Sequence, residues 1–149
     1  MLGSIAQIRT SHDGGFTVDG ELVGQIQEGL LVLLGCGHGD DERALDYVLN
    51  KTVNLRIFRD DAGKMNRSLL DCGGELLVVS QFTLYGETRK GRRPSFVGAM
   101  APDEAELLYE LFIERARALG ITVFTGRFGA MMDVELVNDG PVTLMVESP

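Results

Sequence analysis

Two uninterrupted apolar runs constrain the fold of this chain more than any other feature of its sequence. Leu30–Leu34 is five consecutive aliphatic residues between two glycines, and Leu76–Val79 is a second run of strand-forming character. A short run without polar alternation is typical of a strand that is buried on both faces. The sequence therefore predicts a sheet at the centre of the core, with other elements packed against it.

The hydrophobic periodicity of the remaining segments predicts two helices among many short strands. One helix begins at Asp40 or Asp41 and presents its apolar face through Val53, and the other runs from Pro102 to Leu119. Strands are expected at 2–10, 16–18, 21–23, 30–34, 54–59, 76–79, 121–125, 134–137 and 142–146. The last two should form a hairpin around residues 138–141, because Pro141 cannot donate to a ladder. The predicted fold is α/β, with both helices on one face of a mostly antiparallel or mixed sheet.

Length and charge narrow the class of protein. The 149 residues suit one domain spanning 1–149, and no run approaches the roughly 20 apolar residues that a membrane span needs. A basic-then-apolar secretory pattern is also missing from the first residues. The net charge of −8 argues against a broad nucleic-acid-binding face but permits a local basic patch. We expect a cytoplasmic protein that binds no membrane and no DNA.

Small polar and basic side chains are concentrated just after the second apolar run. Ser80-Gln81-Phe82-Thr83 follows the run directly, and residues 89–93, here called the basic loop, hold four of the chain's 14 basic residues. These four are Arg89, Lys90, Arg92 and Arg93. A core strand that ends in small polar groups and a charged loop can present chemistry at a sheet edge. The alternative is a solvated loop whose arginines pair with the acidic surface.

The side chains of familiar hydrolytic sites are scarce. His12 and His38 are the two histidines, and both fall in expected loops. A serine or threonine nucleophile needs a base within hydrogen-bond reach, which leaves Ser80 or Thr83 with His38 as a weak alternative. Cys36 and Cys72 are too few and too far apart in sequence for a disulfide framework or a zinc site. We therefore expect no metal and no cofactor.

Two long motifs in this chain closely resemble those of the D-aminoacyl-tRNA deacylase family. SQFTLY at 80–85 is followed by TRKGRRPSF at 88–96, and NDGPVTL follows at 138–144, in the family's order and roughly at its spacing. Shorter matches at 18–20, 54–58 and 126–129 extend the likeness over most of the chain. The resemblance implies three layers, with helices packed on curved sheets.

The resemblance also implies the site and its chemistry. Backbone amides of Ser80, Gln81, Phe82 and Thr83 would hold the ester carbonyl of a D-aminoacyl-tRNA, with the Ser80 and Thr83 hydroxyls lining the site. Gly140-Pro141, with a cis peptide bond, would enter the active site of the other subunit of a homodimer and exclude L-residues, while glycine would be admitted. Phe128 and Met132 would lie near the terminal adenosine, and the basic loop would meet tRNA phosphates. Core filling is an equal alternative for Phe128 and Met132.

The chain departs from the family pattern in two places. The family's opening Gln-Arg-Val strand is replaced by Gln7-Ile8-Arg9, so the arginine that helps to fix the Gly-Pro loop is displaced or lost. Met131 stands where the family has an acidic residue. Both departures are expected to loosen the Gly-Pro loop. Two other functions remain open: a nucleic-acid-end-binding module that lacks turnover, and a small-ester hydrolase with a side-chain nucleophile.

Overall fold

The computed structural model describes residues 1–9, 16–18, 21–24, 26, 28–134 and 137–149. In chain order the strands are β1 (Leu2–Arg9), β2 (Phe16–Val18), β3 (Glu21–Gly24), β4 (Glu28–Gly35), β5 (Phe58–Arg59), β6 (Met65–Arg67), β7 (Glu75–Ser80), β8 (Val123–Thr125), β9 (Met132–Val134) and β10 (Val137–Glu147). The helices are α1 (Glu42–Asn54), α2 (Leu69–Cys72) and α3 (Pro102–Ala118), and a 3₁₀ turn spans Phe82–Tyr85. Among these described elements no helix combines the length and apolar character needed to cross a bilayer.

A mixed five-stranded sheet forms the centre of the fold, in the order β10-β1-β4-β7-β8. β4, β7 and β8 are parallel neighbours, whereas β1 runs antiparallel to both β4 and β10. Leu34 of β4 pairs with Ser80 of β7, so the carboxyl ends of these two strands lie at the same edge. A second sheet has the order β3-β2-β9, and β5 pairs with β6.

Both faces of β4 and β7 are covered, which explains their continuous apolar runs. Alternate residues pack into a cluster shared with α1 and α3; these are Leu30, Val32, Leu34, Leu76 and Val78. The residues between them join a separate cluster around Ile26; these are Leu31, Leu77 and Val79. The prediction of buried strands with the helices on one face is confirmed.

The two long helices begin where capping chemistry predicts. Asp41, and not Asp40, is the N-cap of α1, because its Oδ1 accepts from the amides of Arg43 and Ala44. α3 begins at Pro102, whose missing N–H costs nothing at a first helical position. It is followed by Gly120 at φ +81°, in the left-handed region.

Two expectations for the middle of the chain were wrong. The strand expected over Asn54–Arg59 is reduced to Phe58–Arg59, since α1 continues through Asn54. The fold also has a third helix, α2, whose four residues are too few to show periodicity. Ser68 and Asp71 begin it with a capping box.

The expected hairpin around Gly140-Pro141 was wrong as well. Residues 137–147 form one strand, β10, which pairs with β1 along its length. Thr143 is opposite Ala6 and Asn138 is opposite Ile8, so residues 139–142 form a bulge opposite the single residue Gln7. Pro141 is accommodated because β10 is an edge strand and the bulge interrupts its ladder.

Candidate functional site

The Phe82–Tyr85 turn leaves backbone donors free at the carboxyl end of β7. The Gln81 amide donates to the Leu34 carbonyl at 2.8 Å, and the Leu84 and Gly86 amides close the turn on Gln81 and Thr83. Within the described part of the chain the amides of Phe82 and Thr83 have no acceptor. They are the unpaired N–H groups that any helical turn leaves at its start. The turn can therefore bind an oxygen atom with two neighbouring backbone donors.

Side chains around these amides are polar or aromatic and open to solvent. Phe82 is 59% exposed, and its ring meets Phe96 edge-on with centroids 5.2 Å apart. The Gln81 Nε2 donates to the Thr83 hydroxyl, which is exposed. Ser80 is half-buried at the end of β7. The four residues of the SQFT motif thus lie together at one edge of the sheet.

A general base is not brought to this turn by any histidine that the structure describes. His38 is exposed on the loop after β4, where its amide donates to the Gly98 carbonyl, and it has no hydrogen bond to Ser80 or Thr83. His12 lies outside the described residues. Burial, and then the charge of Asp40, raise the pKa of Cys36 to about 11, so this thiol stays protonated at neutral pH. The described residues hold no cluster of potential metal ligands.

The basic loop is tied to the turn. Glu87 and Ser95 exchange backbone hydrogen bonds of 2.8 and 3.0 Å at its base, and Phe96 then packs against Phe82. Arg89 forms an ion pair with Glu87, as the alternative of internal pairing requires. Lys90, Arg92 and Arg93 form no ion pair with any residue that the structure describes. Three cations therefore remain free for an anionic partner.

Phe128 and Met132 pack against different apolar clusters. Phe128 packs against Tyr109 at a groove of about 460 Å³ between α3 and β8, whose other lining residues include Glu106, Glu110 and Glu114. Met132 instead joins the second apolar cluster, with Leu31, Leu77 and Val79. Three glutamates and one arginine, Arg117, give the groove a net negative lining that opposes the approach of a phosphate. An adenosine-binding role for Phe128 remains a prediction.

The bulge at residues 139–142 lies far from the Phe82–Tyr85 turn of the same chain. The bulge is opposite Gln7 of β1, and the register across the sheet places Gln7 beside Leu30 of β4 and Leu76 of β7. The bulge is therefore three strands away from β7, and Ser80 lies four residues beyond Leu76 along that strand. These offsets correspond to about 14 Å across the sheet and about 13 Å along the strands. Four residues that leave a strand and return to it reach about 7 Å. One chain therefore does not bring Gly140-Pro141 to the SQFT motif.

The two departures from the motif pattern occupy distinct positions. Gln7 is the β1 residue opposite the bulge, and Arg9 pairs with Val137 beyond its end. Met131 is 89% exposed. At the neck of the bulge the Asn138 Nδ2 donates to the Thr143 Oγ1 at 3.1 Å.

Sequence reasoning missed the residues on which the turn rests. Tyr85 donates from its hydroxyl to the Asp40 Oδ2 at 3.2 Å, and Gly35 and Gly37 lie beneath the turn. The sequence signal for this support was the pair Gly35 and Gly37, separated by one residue at the end of a buried strand. Glycines in such a position permit another backbone segment to approach closely.

The family model and the most similar relatives that we found both point to tRNA deacylases that act on D-amino acids. Residues 8–147 match the family model described as D-Tyr-tRNA(Tyr) deacylase. D-aminoacyl-tRNA deacylases of Brevibacillus brevis and Bacillus cereus are each 57% identical to this chain over 141 residues, which is 95% of this chain and 97% of the relative.

Two solved structures share the fold over nearly the whole chain. A protein titled c-Myc DNA unwinding element binding protein superimposes with a TM-score of 0.91 at 38% identity, over 100% of this chain and 99% of the other. A probable eukaryotic D-amino acid tRNA deacylase superimposes with a TM-score of 0.79 over 98% of both chains. At 20% identity the second likeness shows the fold alone.

Proposed function

This chain belongs to the D-aminoacyl-tRNA deacylase family, and we propose that it hydrolyses the ester bond between a D-amino acid and the terminal ribose of tRNA. In the reaction a water oxygen bonds to the ester carbonyl carbon, and the carbonyl oxygen becomes an oxyanion. The bond to the ribose oxygen then breaks, and that oxygen takes the proton that the attacking water gives up. The products are free tRNA and the D-amino acid, so the activity serves quality control in translation in the cytoplasm.

The main observation that supports the proposed catalytic site is that the backbone amides of Phe82 and Thr83 have no acceptor among the described residues. Fixed backbone donors that point at developing negative charge stabilise the oxyanion and require no titratable side chain. Ser80, Gln81, Phe82 and Thr83 form this site together, with the Ser80 and Thr83 hydroxyls lining it. The Cys36 pKa of about 11 supports a mechanism without a thiolate nucleophile.

The amide of Phe82 can be removed with one substitution. Phe82→Pro deletes this N–H at the first position of the turn, where proline is tolerated and no described hydrogen bond is lost. Phe82→Ala removes the ring but keeps the amide, and it serves as the matched control. We expect Phe82→Pro to lower kcat on D-tyrosyl-tRNA about a hundredfold relative to Phe82→Ala, as loss of one oxyanion donor does elsewhere.

The measurement is single-turnover release of D-tyrosine by both variants, with thermal unfolding as a check of the fold. Equal turnover in a folded Phe82→Pro and Phe82→Ala would contradict the role of the amide. A trapped acyl-enzyme would instead favour the small-ester hydrolase with a side-chain nucleophile.

Selectivity is proposed to reside in Gly140-Pro141 supplied by a second subunit. The separation of the bulge from the SQFT motif within one chain supports a homodimer in which each site takes its bulge from the partner. Rigid carbonyls beside the substrate α-carbon leave room for hydrogen where an L-residue carries its side chain. D-aminoacyl and glycyl esters enter, whereas L-aminoacyl esters clash.

We propose that the basic loop and two apolar side chains make the remaining contacts to tRNA. Arg89, Lys90, Arg92 and Arg93 meet phosphates near the acceptor end, and the three that form no ion pair with a described residue contribute most. Phe128 and Met132 contact the terminal adenosine.

The fold supports a three-layer arrangement within one domain spanning residues 1–149. The helices form one layer, and the curved five-stranded sheet and the smaller sheet form the others. The two apolar clusters on opposite faces of β4 and β7 favour it.

A second candidate function is binding of a nucleic-acid end with little turnover. The 38% identical solved protein is titled for binding a DNA element, and the basic loop suits phosphate contacts. Tight binding of tRNA or DNA ends, without release of D-tyrosine at micromolar enzyme, would support this candidate. Hydrolysis of D-tyrosyl-tRNA in preference to L-tyrosyl-tRNA is the result that we expect.

A further inference from the structure

The Phe82–Tyr85 turn is held at its last residue by a carboxylate from the loop after β4. The Tyr85 hydroxyl donates to the Asp40 Oδ2 at 3.2 Å, and the same oxygen accepts from the Gly37 amide at 2.6 Å. The Met1 amino group contacts the other carboxylate oxygen. Burial, and then the charge and hydrogen bond of Asp40, raise the pKa of Tyr85, so its hydroxyl remains a donor. Asp40 thus joins three segments that are distant in sequence.

The underside of the turn rests directly on the backbone of residues 35–37. A Cβ added to Gly37 would lie 2.5 Å from the Tyr85 ring, and one added to Gly35 would lie 2.9 Å from the Gln81 carbonyl oxygen. Contacts this short leave no room for a methyl group. The turn can sit this low because both positions are glycine.

The support under the turn is itself fixed. The His38 amide donates to the Gly98 carbonyl at 3.1 Å, and the Met100 amide donates to the Cys36 carbonyl at 3.0 Å. Gly37 and Ala99 form a bridge between these bonds. The loop that carries Asp40 is therefore a rigid platform and not a free surface segment.

A four-residue 3₁₀ turn does not hold its own geometry, because it has few internal hydrogen bonds and these are poorly aligned. Its first residue, Phe82, is largely exposed, whereas its last, Tyr85, is anchored. The start of the turn is held by the Gln81 amide on the Leu34 carbonyl and its end by Tyr85 on Asp40, so the orientation of the free amides depends on the Tyr85 anchor as well.

We propose that Asp40 and Tyr85 are positioning residues for the deacylation reaction, holding the Phe82 and Thr83 amides at the angle that the oxyanion requires. Neither residue touches the substrate. The proposal rests on the proposed catalytic role of those amides, and it adds the element that aligns them. Gly35 and Gly37 complete the arrangement by allowing the turn to reach Asp40.

The test is Tyr85→Phe, which removes the hydroxyl and keeps the ring that covers Gly37. We expect kcat on D-tyrosyl-tRNA to fall about tenfold with KM changed less than twofold, because slight misplacement of a catalytic group costs rate and not affinity. Asp40→Ala should lower kcat as well. The double variant should be no slower than Asp40→Ala alone, because the Tyr85 hydroxyl has already lost its acceptor in that background.

Two controls separate alignment from general stability. Tyr47→Phe removes a hydroxyl from α1, away from the turn, and Val53→Ala makes a cavity under α1. Both should keep wild-type kcat at a temperature where they are folded. Equal loss of kcat in Val53→Ala and Tyr85→Phe would overturn the proposal, as would multiplied losses in the double variant.

The outcome for Phe82→Pro distinguishes this proposal from the proposed function. Wild-type kcat in Tyr85→Phe together with an inactive Phe82→Pro would overturn the alignment alone. Wild-type kcat in Phe82→Pro would overturn the catalytic turn itself, and the role of Tyr85 with it.

Discussion

Thr83 has the hydroxyl that a side-chain nucleophile would need, but its surroundings do not activate it. Its Oγ1 accepts from the Gln81 amide group, and no described histidine is hydrogen-bonded to it. A hydroxyl that only accepts from a neutral amide gains no nucleophilic character. We therefore propose that its hydroxyl holds Gln81 and lines the site without acting as the nucleophile.

Thr83→Ala is expected to keep most of the deacylase activity. The substitution retains the Thr83 backbone amide, which is the proposed oxyanion donor, and removes only the bond to Gln81. We expect kcat on D-tyrosyl-tRNA within about fivefold of wild type, far above that of Phe82→Pro. Thr83→Ser, which restores the hydroxyl, is the matched control. A folded Thr83→Ala that is inactive, with Thr83→Ser active, would show that the hydroxyl is essential.

Individual residues were predictable from the sequence where their chemistry is local. Asp41, one of the two predicted caps of the first long helix, accepts from the amides of Arg43 and Ala44. Asp40 was predicted only as one of two possible helix caps, and its contacts include the hydroxyl of Tyr85, 45 positions away. Neither periodicity nor capping rules encode a contact over that distance, so the support of the turn could not be predicted.

At the scale of elements, β10 shows why the sequence around Pro141 is compatible with two different structures. A proline without an N–H fits a hairpin turn, and it also fits a bulge on an edge strand. The partner that decides between them is β1, more than 130 positions earlier in the chain. The buried strands and long helices needed no such partner, because their apolar patterns are complete within each segment.

The basic loop is the element expected to control tRNA affinity. Lys90→Ala/Arg92→Ala removes two cations that have no ion pair within the described part of the chain, so fewer counterions are released on binding. We expect KM for D-tyrosyl-tRNA to rise about tenfold at low salt and its logarithmic salt slope to flatten by about one to two units, with kcat nearly unchanged.

The control for the basic loop is Arg43→Ala/Arg59→Ala, which changes the net charge equally on α1 and β5. This variant should keep the wild-type KM and salt slope. Equal effects in the two double variants would mean that overall charge, and not the loop, attracts tRNA. An unchanged slope in Lys90→Ala/Arg92→Ala would place the tRNA elsewhere.

For the whole molecule, the order of strands has a consequence that neither motif shows alone. The SQFT motif lies at the carboxyl end of the central strand β7. Gly140-Pro141 bulges from the outermost strand, β10, at the level of the amino end of β7. β10 also leaves Val137, Leu144 and Met145 exposed along its length. An apolar edge strand is a natural surface for a second copy, and an isologous contact would create two equivalent sites.

Pairs of differently substituted chains test whether each site is shared between subunits. A Gly140→Val chain keeps its turn, and a Phe82→Pro chain keeps its bulge, so their heterodimer should contain one working site although each homodimer is inactive. Equal mixing gives about half heterodimers, and hence about a quarter of wild-type turnover per chain. The converse pair joins a wild-type chain to one that carries both substitutions. If sites are shared, that purified heterodimer should be inactive, because each site then has one damaged half. Activity in the converse pair, with none in the first, would place Gly140-Pro141 in the site of its own chain.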